Sequence, residues 1–144
     1  MMRADFLNAE DAKISQRAQK QENDFSHAVI GAAVEVQRVL GVGLLESAYA
    51  AALALELLER GVAFEREVAI SACYKGQPLG VGFRADFIVE GSLLVELKAL
   101  EAINDLHRAQ LLSYLRVSGL KLGLLINFHA YPLVKGIKRM VNQL

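Results

Sequence analysis

The spacing of apolar residues changes at Gly61, and this change restricts the possible folds more than any other feature of the sequence. Before Gly61, apolar residues recur every three or four positions over residues 25–40, a spacing that predicts an amphipathic helix, and residues 44–60 are rich in Ala, Leu and Glu, a composition that predicts a second helix ending at Gly61. After Gly61, interrupted alternation and short apolar runs up to Leu97 predict three strands, which two tight turns join into an antiparallel meander. The chain therefore combines helices with a sheet.

The rest of the chain returns to helical spacing and then to a buried strand. Residues 101–118 place apolar side chains at helical spacing, and the following Gly119 is typical of a helix end. Residues 121–128 are almost wholly apolar, as expected of a central or parallel strand. Residues 134–141 are predicted to form a short basic helix. Together these elements predict an α/β fold in which a mixed sheet, an antiparallel meander plus a further strand, is flanked by helices.

The size and composition suit one domain. Of the 144 residues, 1–24 are polar and lack a sustained apolar stripe, so we expect an N-terminal extension followed by a domain over residues 25–144. Although 53% of the residues are hydrophobic, the richest stretch, residues 44–58, is too short and too charged to cross a membrane. The start of the chain lacks an apolar targeting segment, and the single Cys73 cannot form an intramolecular disulfide. We therefore expect a cytoplasmic protein.

The charges of the whole chain cancel. Sixteen basic and sixteen acidic residues give a formal net charge of zero. This balance excludes strong long-range attraction of the whole molecule to nucleic acid or to an anionic membrane. Any contact with nucleic acid must therefore depend on a local arrangement of side chains.

An acid and a base lie two residues apart inside an apolar run. Glu96 and Lys98 share one face of the predicted strand, while the residues on its other face point into the core. If this strand pairs with the preceding strand through the turn at residues 90–92, Asp86 lies close to Glu96 across the ladder. Two carboxylates and one ammonium group would then converge.

This combination suits metal-assisted phosphate chemistry. Carboxylate oxygens are ligands that Mg²⁺ prefers, and a nearby lysine can orient or deprotonate the attacking water and stabilise negative charge on phosphorus. The alternative is a cross-strand salt bridge on a solvated face of the sheet, which this spacing alone does not exclude. The apolar surroundings of Glu96 and Lys98 favour a functional site, because charges there are costly unless they are paired or functional.

Four short motifs follow one another along the chain: Gly43-Leu-Leu-Glu46-Ser-Ala-Tyr49, Arg84-Ala-Asp86, Val95-Glu-Leu-Lys98 and Ala109-Gln110-Leu-Leu-Ser-Tyr114. In this order they resemble the motifs of the GxxExxY proteins, a branch of the PD-(D/E)XK nuclease superfamily. The resemblance implies a restriction-endonuclease-like core with Mg²⁺, or Mn²⁺, held by Asp86 and Glu96. It also implies that Glu46, on the first core helix, is a further metal ligand and that Lys98 is catalytic.

The resemblance also implies a set of substrate-binding residues. Gln110 and Tyr114 share a helix face one turn apart and, in the resembling nucleases, such a pair borders the metal site and touches the DNA backbone. Arg84 could contact phosphate or neutralise Asp86. Tyr49, one turn after Glu46, is a further candidate for substrate binding. The alternative is that Tyr49 is an aromatic residue of the core whose hydroxyl group is held by a hydrogen bond.

These features together predict a metal-dependent nuclease that hydrolyses phosphodiester bonds in DNA. The alternative is a nuclease fold kept as a binding or interaction module with little catalysis, in a repair or defence assembly. The motifs leave open whether the enzyme is an endonuclease or an exonuclease, whether DNA or RNA is cut, and whether the chain forms a homo-oligomer or a larger complex.

Overall fold

Helices cover both faces of one five-stranded sheet. The computed structural model describes residues 25–143, so the predicted extension over residues 1–24 lies outside the described residues. Helix α1 is described over residues 25–40. It is followed by α2 (Glu46–Glu59), β1 (Phe64–Tyr74), β2 (Gln77–Val89), β3 (Leu93–Lys98), α3 (Asp105–Ser118), β4 (Leu122–Asn127), a 3-10 helix (Leu133–Gly136) and β5 (Ile137–Val141).

The sheet is mixed, as the sequence predicts. Its strand order is β1-β2-β3-β4-β5, in which only the β3–β4 pair is parallel. Parallel neighbours need a crossover connection, and α3 supplies it. The meander turns lie at Lys75–Gly76 and Glu90–Gly91, where both central residues have positive φ, the geometry of a tight hairpin turn. The predicted meander and the buried parallel strand are confirmed.

Each face of the sheet carries its own hydrophobic core. Helices α1 and α2 cover one face through residues such as Val29 and Leu53, while α3 covers the other through Leu111 and Leu115. Gly123 in β4 allows α3 to approach closely, since a Cβ atom there would lie 3.1–3.3 Å from the methyl groups of the two α3 leucines. Because both faces are covered, β3 and β4 consist of near-continuous apolar runs.

The end of the chain corrects one prediction. The short basic helix predicted over residues 134–141 is instead a 3-10 helix followed by the edge strand β5, which pairs antiparallel with β4. So short a helix is marginal in water, whereas pairing with β4 satisfies the backbone and packs Met140 against the core under α3. Helix α3 also begins at Asp105 rather than at residue 101, because Asn104 caps it.

Over residues 25–143, none of the helices combines the length and the hydropathy that crossing a bilayer requires.

Candidate metal and substrate site

The site begins where strands β1 and β2 change faces. Phe87 packs in the core beneath α1 and α2, whereas Ala85, two residues earlier, packs in the core beneath α3. Residues two apart on a regular strand share a face, so β2 turns over at Asp86. Opposite it, Glu67 of β1 has a φ of 51°, in the left-handed region that residues other than glycine seldom adopt. A local twist of the hairpin therefore sets the orientation of Asp86.

The Asp86 and Glu96 carboxylates each accept a hydrogen bond from a backbone N–H of the neighbouring strand. The β2–β3 ladder ends with the pair Phe87 and Val95, and Asp86 and Glu96 lie just beyond this pair. The Asp86 N–H donates to Glu96 Oε1 at 3.2 Å, and the Leu97 N–H donates to Asp86 Oδ2 at 2.8 Å. These reciprocal hydrogen bonds replace the ladder at this point and keep the two carboxylates side by side, as the cross-strand pairing predicts.

Burial makes Glu96 an unusual acid. The residue is only 7% exposed. Burial first, and the negative charge of Asp86 second, raise the pKa of Glu96 to about 8. Two carboxylates in one poorly solvated place are unfavourable without a compensating cation. The pair is therefore electrostatically prepared for a positive charge.

Lys98 lies beside the pair without neutralising it. Within residues 25–143, no ion pair joins Lys98 to Asp86 or Glu96. Its charge acts on Glu96 from a longer distance and partly opposes the rise in the pKa of that carboxyl group. Together with the burial of Glu96, this arrangement differs from the alternative of a salt bridge on a solvated sheet face.

Glu46 approaches the pair from the other helical layer. It is the first residue of α2 and is exposed as a whole, yet burial of its carboxyl end and then the charge of Asp86 raise its pKa, while Lys98 lowers it. Over residues 25–143, no three His, Cys, Asp or Glu side chains are grouped closely enough to hold a metal ion. The expected convergence of three carboxylates is thus not preformed, because α2 packs on the face opposite α3 and leaves Glu46 at the edge of the site.

The two central carboxylates suit a hard divalent cation. Mg²⁺ typically uses one or two protein carboxylates and completes its octahedral shell with waters and substrate phosphate oxygens. Asp86 and Glu96 supply this number of oxygen donors, and Glu46 is near enough to interact with them electrostatically. The residues present therefore fit Mg²⁺ or Mn²⁺.

Helix α3 brings its predicted pair towards the carboxylates. Tyr114 is half-buried, and its ring stacks on Phe83 with the ring centroids 3.9 Å apart. Burial and then the charges of Glu96 and Asp86 raise the pKa of Tyr114, while a side-chain hydrogen bond from Gln110 lowers it. Gln110 itself is exposed. Both side chains thus belong to the surroundings of the carboxylate pair.

The two remaining substrate candidates differ in position. Arg84 is exposed, two residues before Asp86, and its guanidinium donates to the backbone oxygen of Glu67 at 3.3 Å. Tyr49 is fully buried, and its hydroxyl donates to the Gly41 carbonyl at 2.7 Å and accepts from the Leu44 N–H at 3.2 Å. The structure therefore places Arg84 at the surface near the site and Tyr49 in the core.

Two polar residues that the sequence did not single out support the site. Asn127, at the end of β4, accepts from the Leu100 N–H at 3.0 Å and donates to the Leu100 carbonyl at 2.8 Å. His129 contacts the backbone before α2. The available signal was an amide at the carboxyl end of a buried strand, where the neighbouring parallel strand ends in Glu96 and Lys98.

The sequence also matches a known protein family over the part of the chain that contains the site. The model described as PD-(D/E)XK nuclease superfamily matches residues 23–140. No curated protein and no solved structure matches the chain. The matched range includes every residue of the site described above.

Proposed function

Because the chain belongs to the PD-(D/E)XK nuclease superfamily, we propose that it is a metal-dependent nuclease that hydrolyses phosphodiester bonds in DNA. The fold agrees with this family, since a mixed sheet flanked by helices is the restriction-endonuclease-like architecture. The superfamily gives a nuclease-type function. The metal dependence, the substrate and the residue roles below are our proposal.

The observation that carries the proposal is the pair formed by the half-buried Asp86 and the buried Glu96, whose carboxylates accept from the Leu97 and Asp86 N–H groups respectively. A purely structural pair of this kind would be expected to have a cation in contact with it, because without one the two carboxylates can lie side by side only if Glu96 keeps a proton, consistent with its pKa being raised to about 8. Within the described residues no such ion pair is formed. A site that binds a divalent cation explains both the burial and the missing partner.

The roles of the side chains follow from their chemistry. Asp86 and Glu96 would hold the cation, with Glu46 as a further ligand. A bound cation supplies Lewis-acid stabilisation of charge on the phosphate and lowers the pKa of water. Lys98 has three N–H donors and no acceptor while protonated, so it can orient the attacking water and stabilise negative charge on phosphorus. Gln110, Tyr114 and Arg84 would position the DNA backbone.

A metal titration of wild type beside Glu96→Ala tests this function. We expect calorimetry to detect Mg²⁺ or Mn²⁺ binding by the wild type, and labelled DNA to be cut only in the presence of the metal. Glu96→Ala should lose both. Glu59→Ala is a matched control, because Glu59 is an exposed acid at the far end of α2, and it should bind and cut as the wild type does.

Two results would count against the proposal. Cleavage that persists in Glu96→Ala would place the active site elsewhere. DNA binding without cleavage at any metal concentration would favour the alternative of a nuclease fold that serves as a binding module.

A further inference from the structure

The loop before α2 determines where Glu46 lies, and α2 does not fix this loop by itself. Its N-cap residue, Leu45, makes no side-chain capping bond. Two glycines of the loop, Gly41 and Gly43, have positive φ angles of 74° and 96°. Glycine can adopt many backbone conformations, so a loop with two glycines has no single conformation that its own residues impose. Its conformation must therefore be fixed by contacts from outside.

One contact comes from α2 itself and a second comes from the segment after β4. Tyr49 ties the loop through its hydroxyl bonds to Gly41 and Leu44. His129 Nε2 lies 3.1 Å from the Leu44 carbonyl oxygen. A carbonyl only accepts hydrogen bonds, so Nε2 carries the proton and donates. The imidazole also stands edge-on to the Tyr49 ring, with centroids 6.3 Å apart.

The position of His129 is fixed by hydrogen bonds at the end of β4, the strand that lies parallel to β3. The His129 N–H donates to Asn127 Oδ1 at 3.2 Å, and the Phe128 N–H donates to the Lys98 carbonyl at 2.9 Å. The Asn127 side chain also accepts from the Leu100 N–H and donates to the Leu100 carbonyl. A continuous set of hydrogen bonds thus links the end of β3, which carries Lys98, to the loop that presents Glu46.

We propose that His129 is a positioning residue that sets the place of the Glu46 carboxylate relative to Asp86 and Glu96. It touches neither the metal nor the substrate and acts through the Leu44 carbonyl. The neutral ring protonated at Nε2 and the imidazolium ring both donate from this atom, so the bond is kept in either form. The consequence for metal binding rests on the function proposed above, whereas the positioning itself does not.

NMR of His129→Ala and His129→Gln tests the positioning without any activity. The Leu44 carbonyl accepts from His129 and the Leu44 N–H donates to the Tyr49 hydroxyl, so a loop that loses the His129 contact should shift the backbone and side-chain resonances of Glu46 at constant pH. We expect this change in His129→Ala, together with faster amide hydrogen exchange at Leu44. His129→Gln should restore the wild-type values, because the glutamine amide can donate from a similar position. The control His27→Ala, at an exposed position of α1, should leave both values unchanged.

Two NMR results would overturn the proposal. One is a set of Glu46 resonances and a Leu44 amide exchange rate that are the same in His129→Ala as in the wild type. The other is an equal change in the Ala and Gln variants, which would assign the effect to packing on Tyr49 rather than to the hydrogen bond.

Calorimetric titration with Mg²⁺ then tests the consequence for the metal. His129→Ala should weaken Mg²⁺ binding several-fold in the wild-type background but not further in a Glu46→Gln background, because the two changes act on the same ligand. Independent, additive losses in the two backgrounds would overturn the link to Glu46. If the wild type binds no Mg²⁺, the proposed function fails, while the NMR experiment still decides whether His129 positions Glu46.

Discussion

Asp86 and Glu96 combine two properties that seldom occur together in a stable protein. Their reciprocal backbone hydrogen bonds fix their geometry, while burial and mutual repulsion make the fully ionised pair unfavourable. In the metal-free protein the simplest relief is a proton retained on Glu96, shared with Asp86 through a side-chain hydrogen bond. A bound divalent cation would displace that proton. Metal binding at this site should therefore release protons near neutral pH.

The stability of the metal-free protein should show the cost of ionising Glu96. The unfolded chain loses this proton above about pH 4.5, whereas the folded protein keeps it up to about pH 8. The free energy of unfolding therefore falls as pH rises through this window and levels off above it. Glu96→Gln cannot ionise, so at pH 8 with EDTA it should exceed the wild type by on the order of 2 kcal/mol, at ~1.4 kcal/mol per pKa unit and after allowance for relaxation.

Urea unfolding of both proteins at pH 4 and pH 8 measures this difference. The two should have similar stabilities at pH 4, where Glu96 is protonated in the folded and the unfolded chain. Glu59→Gln, which changes an exposed acid, should follow the wild type at both pH values. A Glu96→Gln variant that is less stable than the wild type at pH 8 would contradict the raised pKa of Glu96.

Replacement of Lys98 should separate catalysis from metal binding. A protonated ammonium offers no lone pair to a cation, and its removal lowers the positive charge beside the site. Lys98→Ala should therefore bind Mg²⁺ at least as tightly as the wild type in calorimetry, yet cut labelled DNA on the order of 10² times more slowly, as when one stabilising donor is removed. Lys75→Ala, at the exposed turn between β1 and β2, is the control. Cleavage at the wild-type rate by Lys98→Ala would remove this role from the lysine.

At the scale of elements, α3 depends on a capping box at its start. Asn104 Oδ1 accepts from the His107 N–H, and His107 Nδ1 accepts from the Asn104 N–H, both at 3.1 Å. Asn104→Ala should lower the free energy of unfolding by about 0.5–2 kcal/mol in urea denaturation. The exposed Ser113→Ala change within the same helix should cost less. Equal losses in the two variants would mean that the cap contributes little to α3.

The sequence predicts the elements in which buried residues recur at regular spacing, and it misses the features that depend on pairing between strands. The helices α1, α2 and α3, the meander and the buried strand β4 are all visible in the apolar pattern or composition of the sequence, and each is confirmed. Strand β5 was misassigned because five residues at a sheet edge show too little alternation, and the edge of β4 decides their conformation. The reversal of faces at Asp86 was also missed, because it depends on the positive φ of Glu67, for which the side chain gives no signal.

The candidate site follows the same division. The spacing of Asp86, Glu96 and Lys98 along two paired strands predicts their neighbourhood, since register is a local property of a hairpin. The distance of Glu46 from the Asp86 and Glu96 carboxylates, and the contact of His129 with the Leu44 carbonyl, depend on how α2 and the end of β4 pack across the molecule. Such long-range contacts leave no periodic pattern in one sequence.

At the scale of the whole molecule, the site lies at the end of the β2–β3 ladder, between the helical layers on the two faces of the sheet. Glu46 comes from α2 on one face and Tyr114 from α3 on the other, and both interact electrostatically with Asp86. Neither layer is sufficient alone, because each carries only part of the acidic and substrate-facing groups. The site is therefore assembled by the complete fold of this domain.

From the charge distribution of the molecule we expect DNA binding to depend on the metal. The formal net charge is zero, and without metal the acidic residues of the site repel phosphate locally. Mg²⁺ would cancel two of these charges and leave exposed basic residues as phosphate contacts, namely Arg84, Arg108, Arg116 and Lys121. We expect weak DNA binding without metal, stronger binding with Mg²⁺, and a shallow salt dependence with a log-log slope of about −2 to −4 for a few phosphate contacts.

Fluorescence anisotropy with Lys98→Ala, whose impaired cleavage keeps the DNA intact, measures this dependence at several salt concentrations with and without Mg²⁺. Addition of Arg84→Ala should make the slope shallower by about 0.9 if this arginine contacts one phosphate, whereas Arg38→Ala, whose guanidinium is paired with Glu35 on α1, should leave it unchanged. Tight binding that ignores the metal and has a steep slope would favour the binding-module alternative. If no binding occurs under any condition, the substrate is not free DNA, and the surface charges that remain after metal binding are too few to hold it without a partner.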